Sequence, residues 1–480
     1  MNFEIKKRGM MNFKKYYFNE SISWNKLTKD NDELKAALEV MHIIKDVGYE
    51  SLIVGGFVRD VLMGKESSDV DIATNMPQEK IKELFDTINV GESFGVNIVK
   101  HRGHTFEVAQ YRKDMYDNLD GGKGADTVEI ASDFKDDSSR RDFTINSLGI
   151  DIDGNVVDHH GGIQDIENKV ITTVGDPNIR FKEDALRTLR GVRFASRLGF
   201  KIDDKTMAAI KSHSPKIKDQ AVERIMKEIS KMAEQSGSKF ADAIVMLKDA
   251  GLLKYILPEV LKMDEFEHNV EHHPEGNVFY HTLSALRSSD VVNPIVNLSI
   301  LLHDVGKIET YTKDETGHHY FGHAQKSSEL IDKIADRLKL DNKTRESLKF
   351  SAMNHMKFHE LLDISPSKVM KMIEDPNWDI LVSVAQADAK ARGELFDENE
   401  WSLIMKRVDE LKERFKGKQA TDKIRRIVNG KLVMDLLNMK GGPELGDIIK
   451  KTVGWIIDNN IDIEDMDSIK NKILELGGKK

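Results

Sequence analysis

The sequence predicts an α+β protein: an N-terminal head built from a small mixed sheet with helices, then an all-α body and a further all-α domain. Three observations carry that expectation. Between residues 31 and 155, short β-branched runs alternate with stretches of helical spacing. From about residue 180 strand signals fade, and apolar residues recur at helical intervals to the C-terminus. The chain of 480 residues has no cysteine, so disulfides and thiolate metal sites are excluded, and its length suggests roughly two to four domains.

Taken in order, the head is expected to hold a helix over 32–47, a strand at Leu52-Ile-Val54, a helix starting at Phe57 and a strand Val70-Asp-Ile-Ala73. A helix over 78–85 and strands near 95–101 and 105–112 follow, for a five-stranded sheet. Residues 113–126, with Gly121-Gly-Lys-Gly124 among alternating charges, read as a mobile loop. Asp153-Gly-Asn and His160-Gly-Gly162 are turn chemistry and read as a hinge. Pro215 and Gln235-Ser-Gly-Ser238 punctuate the first helical block, and His272-His-Pro-Glu-Gly276 opens the next. The expected divisions are an extension over 1–30, the head over 31–155, a helical neck over 156–265, a helical domain over 266–395 and a helical tail over 396–480.

No apolar run resembles a signal peptide or a membrane span, Met11 is as good a start as Met1, and a reducing, cytoplasmic setting is expected. Net charge is −9, which argues against a chain that coats nucleic acid all over. Residues 180–239 differ, with fifteen Lys/Arg against eight Asp/Glu. A basic stripe of this kind suits phosphate backbones; only its place beside the motifs below lifts it above an ordinary solvated surface.

The densest motif is Val54-Gly-Gly-Phe-Val-Arg-Asp60, followed by Asp69-Val-Asp71. Gly55 and Gly56 sit at a strand-to-helix turn, where backbone N–H groups approach phosphate oxygens closely. Asp69 and Asp71, two apart on a strand, are expected on one face. Neighbouring carboxylates repel unless a cation lies between them, so the pair asks for a hard metal, most simply Mg2+. Glu107, in Phe106-Glu-Val-Ala-Gln-Tyr-Arg112, is a candidate third carboxylate. Arg140, Arg141, Asp142 and Asn146 suit a nucleotide, guanidinium to phosphate and carboxylate or amide to ribose. Downstream, Asp184 and Arg187 read as i and i+3 on one helix, with Arg190 a turn further on. Such a pair can present an acceptor and a donor to the edge of a base.

These stretches, with Arg180-Phe-Lys-Glu-Asp-Ala-Leu-Arg187 and Val222-Glu-Arg-Ile-Met-Lys-Glu228, resemble class II tRNA nucleotidyltransferases, the CCA-adding enzymes of bacterial type. The resemblance runs from about Ala37 to Met232. It implies a nucleotidyltransferase head that adds C, C and A to the 3′ end of tRNA from CTP and ATP, with protein side chains as template. It further implies that Asp69 and Asp71 bind Mg2+, that Gly56 and Arg59 meet the triphosphate, and that Arg140 or Arg141 holds the nucleotide. Asp184 and Arg187 would read the base, assisted by Arg190 and Arg193. The chain departs from the usual pattern at Gln110-Tyr-Arg112, Ser147 and Asp158-His-His160.

A second constellation lies in the helical part: His281, then His303-Asp304 within Leu301-Leu-His-Asp-Val-Gly-Lys307, then Asp388. Imidazoles and carboxylates on successive helices can converge on one divalent metal. The order resembles the HD phosphohydrolase domain of some CCA-adding enzymes, which implies a divalent transition metal and phosphatase or 2′,3′-cyclic phosphodiesterase chemistry. His323 and His355 are spare imidazoles for a second metal. Addition of A alone, poly(A) synthesis, an HD hydrolase with an inactive head, and an RNA-binding protein are the alternatives; oligomeric state is not legible.

Overall fold

A computed structural model describes residues 10–12, 24–67, 69–89, 96–116, 122, 124–267, 276–315, 317–416 and 421–478. The chain divides into two compact units, residues 1–235 with 239–258, and residues 236–238 with 259–480.

The first unit begins with a mixed sheet. Its strands are β1 (Met10–Asn12), β2 (Ser51–Val54), β3 (Asp71–Thr74), β4 (Asp86–Asn89), β5 (Val96–His101), β6 (His104–Gln110), β9 (Gly149–Ile150) and β10 (Asn155–Val157), while β7 (Arg112–Met115) and β8 (Thr127–Ile130) form a separate hairpin. The eight-stranded order is β1-β10-β9-β2-β3-β6-β5-β4. Only β3 and β6 are parallel; the other pairs are antiparallel. Local chemistry explains the turns: Arg102 and Gly103 have φ of 47° and 81°, the two positive values a tight β5–β6 hairpin needs.

Helices cover the sheet because their apolar stripes match it. Asp32–Asp46, capped by Asn31 accepting from the Leu34 N–H at 2.9 Å, turns Leu34, Ala37, Val40, Met41 and Ile44 into the core. Gly56–Leu62 adds Phe57, Val58 and Val61 to it.

Four expectations are corrected here. The sheet has eight strands rather than five, partly because residues 10–12 and 24–30, expected as an extension, supply β1 and the helix Trp24–Asp30. Trp24 is buried, and a side chain at Gly154 would meet its ring at 2.6 Å. The loop expected over 113–126 is entered through β7, whose ladder with β8 pairs Lys113 with Glu129; residues 117–121 and 123 lie outside the described residues. Asp69 precedes β3, because the ladder with β2 ends at the pair Val54–Asp71, where the partner turns away at Gly55. Finally, Asp184 and Arg187 do not share one helix: Pro177–Glu183 ends at Asp184, whose backbone is extended, and a new helix runs Leu186–Leu198.

The residues expected as a hinge make a tightly tied corner. Asp158 accepts four backbone N–H groups, from His160, Gly161, Gly162 and Ile163, at 2.9–3.1 Å, which caps the helix Gly162–Asn168. A Cβ at Gly162 would stand 2.2 Å from the Thr144 carbonyl oxygen, so only glycine fits.

Among the described residues the second unit is helical apart from a small hairpin, Thr312–Asp314 with Gly317–His319. A single apolar cluster runs from Phe358 to Ile473, so the expected division at 395 falls inside a continuous core. Residues 268–275, including the expected His272–Glu275 opening, lie outside the described residues. Among the described residues no helix is long and apolar enough to cross a membrane.

Candidate functional sites

In the first unit a cavity of about 600 Å³ opens between the sheet and the helices that follow it. It is lined by Gly55, Gly56, Arg59, Arg140, Arg141, Asp142, Asn146, Asp184, Arg187 and Arg190, every expected nucleotide-binding residue except Arg193. Arg112, Asp114, Leu186, Phe194, Arg197 and Arg224 complete the lining and were not singled out from sequence. Arg112 and Arg224 lie within motifs quoted for the resemblance, which was the signal available for them.

The arginines are held in place from behind. Asp137, buried, accepts from Arg140 at 2.9 Å and from Arg141 at 3.1 Å. Burial would raise its carboxyl, but Arg141 and Arg140 outweigh that and hold it below the ordinary range. Arg59 is clamped by Asp60 through two bonds of 2.9 Å and donates to Asn146 Oδ1 at 2.6 Å. Arg190 pairs with Asp142 at 2.6 Å. Burial again works to raise Asp142, and Arg190 and Arg187 reverse it. Arg187 reaches back to Glu183 at 2.5 Å and to the Arg140 carbonyl at 2.9 Å. Asp184 is met by Arg224 at 2.7 Å. Pre-paired guanidiniums of this kind keep donors aimed at a ligand without new ordering cost.

Arg193 is placed elsewhere. Its guanidinium lies 4.2 Å from the Phe194 ring centroid and binds Glu228 at 2.5 Å, with both side chains buried. Arg193 is thus not among the residues that line the cavity; it stands behind Phe194, which does.

The carboxylates stand at the rim. Gly55, with φ 76°, is where β2 gives way to the helix, and a Cβ there would come within 3.7 Å of both Asp71 Oδ2 and Arg141 Nη1. The ladder pairs Ile72 with Val108, so Asp71 and Glu107, one position earlier on parallel strands, are neighbours. Burial, then Glu107 and Asp69, push the Asp71 carboxyl up to about 6, against the pull of Arg141. Three mutually repelling carboxylates are what a divalent cation relieves. Their oxygens do not gather within 4.8 Å; among the described residues the groups that do so are in the second unit.

There His281, His303 and Asp388 form one such group, and His303, Asp304 and His355 another. His281 Nε2 lies 2.8 Å from Asp388 Oδ1, and His303 Nε2 lies 3.2 Å from Asp304 Oδ2. His323 and His355 present Nε2 to Asp304 Oδ1 at 3.4 and 3.5 Å. Each of His303, His323 and His355 engages a backbone carbonyl through Nδ1, at 2.7–2.8 Å, which fixes Nε2 toward the centre. Metal-binding histidines are oriented in this way. Burial opposes charge on His303, yet Asp304 and Asp388 lift it to about 10. Sequence reasoning missed Lys307, 2.7 Å from Asp304 Oδ2, and His359, 3.8 Å from Asp388 Oδ2. Lys307 closes the motif that contains His303 and lies one helical turn after Asp304.

The first unit thus sets an arginine-lined cavity of about 600 Å³ beside the neighbouring carboxylates Asp71 and Glu107. Residues 51–172 match the Poly A polymerase head domain, and residues 199–263 match the family described as probable RNA and SrmB- binding site of polymerase A. The chain is also similar to CCA-adding enzymes. It is 41% identical over 204 residues to the CCA-adding enzyme of Bacillus pumilus, a match covering 42% of this chain and 50% of the relative. The matches thus span about half the length of the first curated relatives. The CCA-adding enzyme of Streptococcus uberis is 29% identical over 91% of this chain and 95% of its own. The fold is shared with the Bacillus stearothermophilus CCA-adding enzyme in complex with CTP, at a TM-score of 0.70, 23% identity, and 93% and 98% coverage of the two chains. It is also shared with the Thermotoga maritima enzyme complexed with tRNA_CCA, at a TM-score of 0.60, 18% identity, and 97% and 99% coverage.

Proposed function

We propose that this chain is a tRNA nucleotidyltransferase that adds CCA to the 3′ end of tRNA from CTP and ATP. The observation that carries the reading is the cavity: the base-side pair Asp184 and Arg187 and the phosphate-side residues Gly55, Gly56 and Arg59 line one space. Arg59, Arg140 and Arg141 hold the triphosphate, with the backbone at Gly55 and Gly56 close enough for phosphate oxygens. Asp142 and Asn146 face the ribose. Asp184 accepts from, and Arg187 donates to, the Watson–Crick edge, so the protein selects the base without a nucleic-acid template.

Asp69, Asp71 and Glu107 would hold divalent metal, most simply Mg2+; the raised Asp71 carboxyl and the Cβ-free rim at Gly55 fit such a group. When bound, the metal supplies charge neutralisation for the triphosphate and acidifies the attacking hydroxyl. The reaction is in-line: the terminal ribose oxygen of tRNA bonds to the α-phosphorus, the bond to the bridging oxygen breaks, and pyrophosphate leaves. The cavity's arginines neutralise the charge that develops on the phosphoryl oxygens.

The test is incorporation of labelled CTP and ATP, separately and together, into tRNA ending at the discriminator base, at C and at CC. Two C residues from CTP alone and one A after ATP is added support the reading. A alone on CC ends would make the chain an A-adding enzyme, and long A tracts would make it a poly(A) polymerase.

A specific observation favours a second activity. The convergence of His281, His303, Asp304 and Asp388, with His323 and His355 beside them, fits an HD-type phosphohydrolase centre for a divalent transition metal. Donors around one such ion stand roughly 3–4 Å apart; His281 and His303 lie 2.8 and 3.6 Å from Asp388 Oδ1, and His303 lies 3.2 Å from Asp304 Oδ2. Asp304 would also orient the attacking water, and Lys307 would meet the phosphate. Release of phosphate from nucleotide or RNA-end phosphomonoesters, or opening of 2′,3′-cyclic diesters to monoesters, dependent on added Mn2+, Co2+ or Ni2+ and lost in Asp388→Ala, tests it.

A further inference from the structure

The loop that leads into the second metal-ligand cluster carries an aromatic pair that packing does not explain. Phe321 is 82% exposed, the most exposed of the large apolar side chains among the described residues. Its ring nevertheless lies nearly parallel to His319, with centroids 5.3 Å apart and planes 10° apart. His319 is braced in turn by Asp314 across the small hairpin, at 3.0 Å. The pair is therefore a flat, pre-set surface turned to water. Two residues later comes His323, whose Nε2 is 3.4 Å from Asp304. Gly322, whose φ of 78° turns the chain into the next helix, separates the two, and Tyr320, between His319 and Phe321, has its ring 5.4 Å from Lys307 Nζ. The stacked pair is thus joined in sequence to the candidate ligand His323, and the residue between its two rings stands against the Lys307 cation.

Aromatic surfaces next to phosphate-binding groups take unpaired bases, since every base offers a π-face. We infer that Phe321, stacked on His319, is the base-binding platform of the second site, whose substrate is a nucleotide phosphate bearing an unpaired base. This rests on the phosphohydrolase reading above. Such chemistry is offered both by free mononucleotides and by the 3′ end of a single-stranded RNA.

The test uses the full chain with Mn2+ and compares hydrolysis of AMP, an RNA hexamer with a 3′-terminal phosphate, and ribose 5-phosphate, which has no base. Phe321→Ala is expected to lower the preference for AMP or hexamer over ribose 5-phosphate about tenfold, and Phe321→Trp to keep it. A fall for the hexamer alone assigns the platform to an RNA end; a fall for AMP as well assigns it to the nucleotide itself. An unchanged preference overturns the proposal, as does loss of a dimer in Phe321→Ala with kinetics intact, which would assign the ring to a second copy. If no phosphate is released with Mn2+, Co2+ or Ni2+, the hydrolase reading fails, and the platform is judged by fluorescence of Phe321→Trp in metal-free protein. Quenching by AMP but not by ribose 5-phosphate supports it; an equal response to both overturns it.

Discussion

Arg224 Nη2 lies 2.7 Å from Asp184 Oδ2, so the carboxylate proposed to read the base is set by an arginine forty residues downstream. The other Asp184 oxygen accepts the Leu186 N–H at 3.0 Å, and Arg224 itself is held by Gln220 at 3.0 Å. Arg224→Ala is expected to lower kcat/KM for CTP and ATP about tenfold and to raise the share of wrong nucleotide, because a freely rotating carboxylate discriminates less. Incorporation measured with each of the four nucleoside triphosphates decides this; equal loss for all four would reduce Arg224 to a phosphate contact.

At the rim, Asp71→Asn should cut incorporation at least ~10²-fold, since charge stabilisation of several kcal/mol is lost. The second site belongs to a separate unit, so metal-dependent phosphate release should be unaffected. Loss of both activities would sink the division into two independent sites.

Arg193 tests whether its buried pair with Glu228 is structural. Breaking its buried pair with Glu228 leaves a charge without a partner, and Arg193→Ala should destabilise the first unit by about 3–5 kcal/mol. A double change, Arg193→Met with Glu228→Leu, should recover most of it. Urea unfolding provides the measurement, and a raised KM for nucleotide without a stability change would restore Arg193 to the nucleotide site.

Asp137 and Asp142 give a pH dependence. Both carboxyls are held below their ordinary value of 3.8 in the folded chain. Stability from their arginine pairs is therefore fully present above the unfolded value and is lost as pH falls through the folded ones. The first unit should lose stability below about pH 4, and Asp142→Asn should flatten that slope. A slope unaltered by the substitution would contradict the assignment.

For the second cluster, protein dialysed against Mn2+, Co2+ or Ni2+ should retain bound metal, and His281→Ala or Asp388→Ala should reduce it about tenfold or more. Elemental analysis is the readout. Retention unchanged in both variants would place the metal elsewhere.

Much of this was legible in the chain itself. Gly55-Gly56 at a strand end needs no partner to be recognised, because steric freedom and helix polarity are local. The helix expected over 32–47 is found as Asp32–Asp46, and its apolar spacing made it legible. The ligand types at His281, His303, Asp304 and Asp388 were visible as residue identities, and the candidate nucleotide residues from Gly55 to Arg190 as motifs. What only the tertiary structure decided was who faces whom. Strand number depended on residues 10–12 finding β10, a pairing set across more than a hundred residues. The break at Asp184 is a backbone event that helical spacing does not foresee, and it turns Arg187 toward Glu183 and Asp184 toward Arg224. Arg193 looks like Arg190 in sequence, yet one is buried on Glu228 and the other lines the cavity. Residue chemistry is carried by each side chain alone; partnership is decided by long-range packing, which brings together groups whose separation along the chain holds no trace of their contact.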